Sequence, residues 1–364
     1  MRILLLGDGG SAHIQKWVIS LTQKGLEIGL FSLHHFDDTV YKGFSNITIL
    51  NNPIYKNARS VFSKLGYLTK TSLLKKQIAK YKPDILHAHY ATSYGLLGTK
   101  TNFKPFAISV WGSDVYDFPK NSTLHKNLVK RILSKADIIC STSYCMKDET
   151  LKYTNTTIEI VSFGVDTEIF KPAKENISGK KEITIGIIKS LEKKYGIDFL
   201  IKAFNEVVKK SDKHLKLLIV GDGSKKAEYI KLCCGLQIAD KVTFTGTVPH
   251  NDVIKYHRQI DIFVSLSTLD SESFGVSLVE AMACGKPVIV SDVAGFKEVI
   301  GNADNGIIVQ KNSYKEAADA IYFYLENPSE ALRKGVSARS HILQHYDWNK
   351  NVEQMIGVYK KLLR

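Results

Sequence analysis

Cysteine and proline are scarce in this sequence, and long apolar runs are missing. The chain has 364 residues, with five cysteines and eight prolines. An odd number of cysteines without a C-x-x-C pair disfavours both a disulfide framework and a cysteine zinc site, so we expect reduced thiols in a cytoplasm. No stretch reaches 18 apolar residues, so no membrane-spanning helix is predicted. The opening MRILLLGDGG has too short an apolar run for a secretory signal peptide.

Acidic residues are also fewer than basic ones, and they are unevenly distributed. The formal net charge is +14, and residues 39–83 contain no Asp or Glu. That stretch carries these basic residues: Lys42, Lys56, Arg59, Lys64, Lys70, Lys75, Lys76, Lys80 and Lys82. Apolar residues are interleaved with them, which indicates peripheral contact of residues 54–82 with an anionic membrane, the alternative being a solvated basic face. No nucleic-acid-binding module is recognisable, so nucleic acid is not an expected partner.

Strand and helix patterns alternate along the whole chain. Continuous apolar runs such as RILLLG, DILHAHY and ITIGIIK predict parallel strands that are covered on both faces. The length exceeds that of one ordinary core, and the polar stretch AKENISGKKE separates two such series. We therefore expect an α/β protein with two Rossmann-like, doubly wound domains, residues 1–170 and 180–347, that face each other across a cleft.

The stretch DSESFGVSLVEAMACGKPVIVSD, residues 270–292, holds two glutamates eight positions apart, Glu272 and Glu280. It predicts a short helix that ends at Gly285 and is apolar on more than one side, hence buried. Glu280 is the only charge on this helix, and no Lys or Arg lies three or four residues away. Its partner should therefore be another part of the fold or a ligand.

Glu272 precedes the N-terminal amides of the same predicted helix, and such amides favour an anion. A carboxylate beside free amides suits a phosphorylated, hydroxyl-rich ligand. The alternative interpretation is structural, with Glu272 as a helix cap and Glu280 in a salt bridge.

Other polar residues and glycines follow predicted strands, at the edge where open parallel sheets bind ligands. They are Gly7, Gly9, Gly10, His87, His89, Trp111, Asp114, Lys189, Gly221 and Gly223. GDGGSA matches the loose dinucleotide fingerprint G-x-G-x-x-A, but LFSLHH lacks the acid expected at the end of the second strand. A nicotinamide oxidoreductase is therefore disfavoured, and a glycine loop that admits phosphate or sugar is the better interpretation.

The sequence resembles the family 4 glycosyltransferases, which are retaining sugar-nucleotide enzymes of the GT-B fold. The resemblance extends over essentially the whole chain, and its most specific part is the E-x7-E pattern of Glu272 and Glu280 within FGVSLVEAMACGKPVI. FGVDTEIFKP, LLIVGDG, FTGTVPHNDV and SDVAGFKEVI support it, and DILHAHYATSYG and WGSD match segments on the acceptor side. The closing YDWNKNVEQMIGVYKKLLR resembles the last helix of this fold, about 348–364, which crosses back onto the N-terminal domain.

The resemblance implies catalytic roles for four residues. Glu272 would bind hydroxyls of the donor sugar, and His89 would lie near the reaction centre. Lys189 and Lys194 would grip the diphosphate at the spacing where the family has an Arg and a Lys, although Lys lacks the bidentate fork of Arg. His87 is instead expected to be a core histidine.

The resemblance also implies donor and acceptor contacts. Glu280 would bind the ribose hydroxyls. The expected donor contacts are Gly9, Gly10, Gly221, Gly223, Val248, Ser273, Phe274, Gly275, Val276 and Glu280. The expected acceptor side includes His13, Asp114 and Trp111, which replaces a histidine common in the family. No metal or cofactor is expected, because lysines and helix amides would stabilise the leaving diphosphate.

The implied reaction moves a hexose-type sugar, with retention, from a nucleoside diphosphate sugar to a hydroxyl of a glycan or lipid-linked acceptor. A UDP-sugar is favoured over GDP-mannose. The expected setting is bacterial capsule, lipopolysaccharide or other surface polysaccharide synthesis, in the cytoplasm or on the inner face of the membrane. A sugar-nucleotide 2-epimerase, a phosphorylase of the same fold and a non-catalytic sugar-nucleotide-binding subunit are the alternatives.

Overall fold

The structure, a computed structural model, describes residues 1–53, 69–173 and 180–364. The chain divides into two compact units, Met1–Ser162 with Lys350–Arg364, and Phe163–Asn349. The sequence predicts a boundary between residues 170 and 180, whereas the units divide after Ser162. The reason is that the segment after Ser162 packs within the second unit, where the ring of Phe163 lies 6.2 Å from that of Phe274.

The first unit is built on a seven-stranded parallel sheet in the order β3-β2-β1-β4-β5-β6-β7. Its strands are β1 (Arg2–Leu6), β2 (Glu27–Phe31), β3 (Ile47–Asn51), β4 (Ile85–His89), β5 (Phe106–Ser109), β6 (Ile138–Ser141) and β7 (Ile158–Ile160). Its helices include α1 (Ala12–Gln23), α2 (Thr71–Tyr81), α3 (Leu96–Thr99), α4 (Ser113–Tyr116), α5 (Thr123–Leu133) and α6 (Tyr144–Leu151). Strands β4 and β5 are buried at every position, as expected for parallel strands covered on both faces.

Helix α2 covers most of the described part of the basic segment that was predicted to face a membrane. Its apolar side chains pack into the core of the first unit: Leu73, Leu74, Ile78 and Tyr81. Its lysines are exposed: Lys75, Lys76 and Lys80. The apolar side of α2 is therefore used in the core, and the helix exposes a row of lysines. Contact of this segment with an anionic membrane stays a prediction.

Residues 54–68 of the predicted membrane segment lie outside the described residues. Within the ranges that are described, no helix is long and apolar enough to cross a membrane.

The second unit is built on a six-stranded parallel sheet in the order β10-β9-β8-β11-β12-β13. Its strands are β8 (Glu182–Ile188), β9 (His214–Val220), β10 (Val242–Phe244), β11 (Ile262–Ser265), β12 (Val288–Ser291) and β13 (Ile307–Val309). Its helices include α7 (Ile197–Lys210), α8 (Lys226–Gly235), α9 (Val253–Gln259), α10 (Val276–Ala283), α11 (Ala294–Ile300), α12 (Tyr314–Glu326) and α13 (Pro328–His345). The last helix of the chain is α14 (Trp348–Leu362).

Each sheet reverses its strand order at one point. The first sheet reverses between β1 and β4, and the second reverses between β8 and β11. Doubly wound sheets bind ligands outside the carboxyl ends of their strands at this reversal. The residues found there are Gly9 and His89 in the first unit, and Lys189 and Glu272 in the second.

Candidate functional site

Two loops of the second unit bring a lysine against a glutamate. Lys189 follows β8, Glu272 lies between β11 and α10, and Nζ of the lysine is 2.5 Å from Oε2 of the glutamate. The side chains keep only 16% and 10% of their exposure. Charge-assisted contacts of this kind are among the stronger hydrogen bonds in proteins. The two residues predicted to meet the diphosphate and the sugar are thus found at one place.

A tyrosine joins the second predicted lysine to this pair. Nζ of Lys189 lies 4.4 Å from the centroid of the Tyr195 ring, and Nζ of Lys194 lies 5.2 Å from it. Both distances are within the range of cation–π attraction. The Lys194 carbonyl also accepts a hydrogen bond from the Thr268 amide at 2.8 Å, which ties the lysine segment to the loop before Glu272. Tyr195 was not predicted, because no pattern in the sequence indicates a role for it.

Gly221 and Gly223 lie against the backbone of the loop that carries Lys189. Gly221 has φ +137°, and a Cβ on it would lie 2.1 Å from the Lys189 carbonyl oxygen. A Cβ on Gly223 would lie 2.6 Å from the Leu191 oxygen. The structure therefore gives these glycines the role of letting two loops meet and placing Lys189. Their direct contact with a donor stays a prediction.

The loop from Glu272 to Gly275 is held by close packing. Phe274 is buried, and its ring lies 5.5 Å from that of Tyr346. Gly275 has φ +84°, which favours glycine, and it immediately precedes α10. A Cβ on Gly295, in α11, would lie 2.4 Å from the backbone carbonyl oxygen of Glu272. Because the Phe274 side chain faces the protein interior, its predicted contact with a donor would come from the backbone.

The other predicted donor contacts of the second unit lie around these loops. Ser273 is buried, and Val276, the first residue of α10, is half-buried. Val248 is half-buried in the loop after β10. That loop is joined to the Gly221 loop, since the Gly221 amide donates to the Gly246 carbonyl oxygen at 3.1 Å. The ligand contacts of these residues stay predictions.

Glu280 is buried within α10 and has its partner on another helix. Its Oε2 lies 3.1 Å from Nε2 of His257 on α9, and the side chains keep 7% and 0% of their exposure. Another part of the fold therefore supplies the partner that this buried carboxylate needs. His257 itself was not predicted. A usable pattern exists, because Val253, Ile254 and His257 share one buried face of α9.

His89 ends β4 and belongs to an aromatic cluster in the first unit. Its ring centroid lies 4.3 Å from that of His87 and 5.7 Å from that of Trp111, whose ring is 5.6 Å from His13. His89 is 1% exposed, and neither ring nitrogen has a hydrogen-bond partner among the described residues. Burial lowers the pKa of His89 well below its ordinary value, so the ring is neutral near pH 7. The structure thus brings His13, His89 and Trp111 together.

His87 is a core histidine, which confirms the prediction. Its Nδ1 lies 2.7 Å from the Tyr359 hydroxyl on α14, and its Nε2 lies 2.9 Å from the Ser109 hydroxyl. Burial lowers the pKa of His87 to about 3. Both nitrogens are used inside the unit, so none is left for a ligand.

Asp114 holds the loop that carries Trp111. Its carboxylate accepts hydrogen bonds from the amides of Ala91, Trp111 and Gly112 at 2.9, 3.0 and 2.9 Å. Burial raises the pKa of Asp114, and these amide bonds oppose that rise. A fully buried carboxylate on backbone amides does not fit the predicted contact with an acceptor. We therefore correct its role to placement of the Trp111 loop.

The glycine loop after β1 is fixed by contacts within the first unit. The Gly9 carbonyl accepts from the Tyr41 hydroxyl at 2.8 Å, and a Cβ on Gly9 would lie 2.6 Å from the Phe36 ring. Gly10 is exposed, and its amide donates to Oδ1 of Asp8 at 3.0 Å. The donor contacts of both glycines stay predictions.

Asp270, which precedes Glu272 in DSE, makes contacts within the second unit. Its Oδ1 accepts from the Ala294 amide at 3.1 Å, and both of its oxygens lie 3.4 Å from Nζ of Lys311. In the part of the chain that the structure describes, no group of three or more His, Cys, Asp or Glu side chains is arranged to hold a metal. The independence from metal stays a prediction.

Known proteins share both this sequence pattern and this fold. The family described as glycosyl transferases group 1 matches residues 168–341, and the family described as glycosyl transferase 4-like matches residues 2–143. N-acetyl-alpha-D-glucosaminyl L-malate synthase of Bacillus anthracis is 28% identical over 94% of this chain and 91% of its own.

Solved structures agree in fold at lower identity. Sucrose-phosphate synthase of Thermosynechococcus elongatus aligns with a TM-score of 0.85 and 19% identity, over 100% of this chain and 99% of its own. An Anabaena protein solved in complex with UDP aligns with a TM-score of 0.79 and 19% identity, over 99% and 100% of the two chains.

Proposed function

Because the chain belongs to the group 1 glycosyltransferases and has their GT-B fold, we propose that it transfers a hexose-type sugar from a nucleoside diphosphate sugar to a hydroxyl group, with retention of the anomeric configuration. The proposed acceptor is a glycan or lipid-linked intermediate of bacterial surface polysaccharide synthesis, met in the cytoplasm or at the inner face of the membrane. The observation that carries the proposal is the contact of Lys189 with Glu272 at the strand reversal of the second sheet.

Lys189 and Lys194 supply the positive charge that a departing diphosphate needs. The bond between the anomeric carbon and the diphosphate oxygen breaks, and the electron pair leaves with the nucleoside diphosphate. The acceptor hydroxyl oxygen bonds to the anomeric carbon on the same face, and its proton passes to the departing diphosphate oxygen. Two ammonium groups that flank Tyr195 and the amides at the start of α10 face this developing negative charge. Fixed charges in a partly enclosed site stabilise a transition state more than they would in water.

Glu272 serves the sugar in this proposal. When the donor binds, the Lys189 ammonium turns to the phosphate, and the Glu272 carboxylate accepts hydrogen bonds from sugar hydroxyls. The ion pair holds both side chains in place before the donor arrives. Less rotamer freedom is therefore lost on binding than if the two side chains were mobile.

His89 provides a neutral imidazole with one donor and one acceptor nitrogen. Both nitrogens are buried without a partner in the described residues. Buried polar groups are normally hydrogen-bonded, and a hydroxyl of a bound sugar would satisfy one of these nitrogens. Trp111, whose ring contacts His89, would bound the space that this hydroxyl enters.

The choice of nucleotide base and acceptor rests on other observations. UDP is proposed because the TGTVPHND segment around Val248 offers no obvious purine-specific contact. The Anabaena structure contains UDP, which at 19% identity describes that protein alone. The Bacillus anthracis relative is named for L-malate, so small acidic acceptors belong in the test beside lipid-linked glycans.

The test is a transfer assay with purified protein. Each assay would offer one donor with lipid-linked glycans or L-malate, the donors being UDP-glucose, UDP-galactose, UDP-N-acetylglucosamine and GDP-mannose. Release of UDP or GDP would be measured. The proposal predicts acceptor-dependent release and a product whose anomeric configuration, read by NMR, equals that of the donor. An inverted product, or release of a free 2-epimerised sugar without transfer, would contradict it.

A further inference from the structure

His257 occupies an aromatic enclosure beside Glu280. Its ring centroid lies 5.8 Å from that of Phe170 and 5.9 Å from that of Phe263, and the residue is fully buried. Nε2 lies 3.1 Å from Oε2 of Glu280, and Nδ1 has no hydrogen-bond partner among the described residues. The ring therefore makes its hydrogen bond to a carboxylate that is itself buried.

The direction of this hydrogen bond follows from its chemistry. An ionised carboxylate only accepts, so the proton lies on Nε2 of His257 and is donated to Glu280. The two phenylalanine rings fix the plane of the imidazole, and the hydrogen bond then fixes the orientation of the carboxylate. Without it, a buried carboxylate oxygen would lack a partner, which is costly.

His87 shows how a histidine with a purely structural role is satisfied in this protein. Its two nitrogens lie within hydrogen-bond distance of the hydroxyls of Tyr359 and Ser109. His257 differs, because its hydrogen bond goes to one oxygen of Glu280 while its other nitrogen has no partner in the described part of the chain. The hydrogen bond of His257 therefore serves to orient the Glu280 carboxylate rather than to stabilise the core.

We propose that His257 is a positioning residue for the nucleotide: it holds Oε2 of Glu280 so that Oε1 accepts hydrogen bonds from the two ribose hydroxyls. The inference rests on the proposed function, in which Glu280 binds the ribose. It adds that the affinity for the nucleoside diphosphate depends on a hydrogen-bond donor at the position of Nε2 of His257.

The test compares two substitutions that separate shape from hydrogen bonding. His257→Phe keeps a ring between Phe170 and Phe263 but removes the donor. His257→Gln places an amide N–H near the position of Nε2. Binding of UDP, GDP and their 2′,3′-dideoxy counterparts would be measured by calorimetry for the wild type and both variants. Melting temperatures without nucleotide would show whether the variants fold, and His257→Leu would replace His257→Phe if that variant does not.

For whichever of UDP and GDP binds the wild type, we expect His257→Phe to bind it about 10–50-fold more weakly, as for loss of a hydrogen bond to a charged group. We expect His257→Gln to stay within about 3-fold of the wild type. With the dideoxy counterpart, which lacks both ribose hydroxyls, the wild type and His257→Phe should bind equally.

Three results would overturn the inference alone: unchanged binding by His257→Phe, no rescue by His257→Gln, or an equal loss with the dideoxy probe. If neither UDP nor GDP binds the wild type, the proposed function fails, and this inference fails with it.

Discussion

The ammonium nitrogen of Lys189 lies 2.5 Å from a carboxylate oxygen of Glu272, and the two residues follow the strands between which the second sheet reverses its order. In the proposed function, a bound donor separates these opposite charges. A diphosphate that carries a sugar has an anion for the lysine and hydroxyls for the glutamate.

Removing the Lys189 charge should impair catalysis. For Lys189→Gln we expect kcat/KM for the donor to fall about 100–1000-fold, the usual cost of losing one group that stabilises transition-state charge. The matched control is Lys193→Gln, since Lys193 is an exposed lysine of the same segment and should stay within about 2-fold. Equal losses in the two variants, measured by steady-state kinetics, would show that Lys189 has no special role.

Gly221→Ala should disturb the loop that carries Lys189. The new Cβ would lie 2.1 Å from the Lys189 oxygen at a φ of +137°, so we expect a loss of about 1–3 kcal/mol in the free energy of unfolding and weaker nucleotide binding. Gly357→Ala is the control, because nothing lies within 4 Å of a Cβ there and the site is exposed on α14. It should gain about 0.5–1 kcal/mol. Urea titration measures the free energy of unfolding of both variants. An unchanged free energy of unfolding for Gly221→Ala would contradict the account.

Most strands could be predicted from the sequence because they are continuous apolar runs, as in RILLL of β1 and EITIGII of β8. Strand β3 could not be predicted in this way, since its residues are exposed or half-buried and lack such a run. Helix α6 could not be predicted from an apolar stripe either, because YCMKDETL has none. Its start is instead marked by a local cap, in which the Ser143 hydroxyl accepts from the Met146 amide.

The second unit's site was predicted only in part. E-x7-E identifies Glu272 and Glu280, but their partners, Lys189 and His257, are set by which strands and helices are neighbours. That information is long-range and is absent from local patterns. Asp114 was misassigned for a related reason, because the sequence does not show that three backbone amides converge on its carboxylate.

The buried His87 should make stability depend on pH. Burial lowers the pKa of His87 from its ordinary value of 6.5 to about 3, so the unfolded chain binds the extra proton first as pH falls. The stability that depends on a neutral His87 is complete above pH 6.5 and is lost as pH falls towards 3. The free energy of unfolding then falls by at most about 1.4 kcal/mol per pH unit.

The measurement for this pH effect is urea unfolding at several values between pH 7 and pH 5. We expect His87→Gln to show a shallower fall in stability than the wild type, and His250→Gln, which replaces an exposed histidine, to match the wild type. Parallel curves for His87→Gln and the wild type would contradict the prediction.

The lysines of α2 should carry any contact with an anionic membrane. Each lysine near such a surface contributes about 1 kcal/mol, so replacing Lys75, Lys76 and Lys80 with Gln should weaken binding to phosphatidylglycerol vesicles roughly 100-fold. Salt should weaken wild-type binding in the same assay. The control replaces Lys209, Lys210 and Lys213, which are exposed in the second unit. Equal loss in the control, or no salt-dependent binding by the wild type, would remove the membrane from the account.

The most direct measurement is the melting temperature with a panel of nucleotide sugars, with and without EDTA, for the wild type, Glu280→Ala and the exposed control Glu228→Ala. A ligand at about 100 times its Kd adds about 2.7 kcal/mol, or roughly 5–10 °C for units of this size. We predict that a UDP-sugar raises the melting temperature of the wild type and of Glu228→Ala, that EDTA changes nothing, and that Glu280→Ala loses the shift. No shift with any nucleotide sugar, or a shift only with nicotinamide dinucleotides or nucleic acid, would contradict the account.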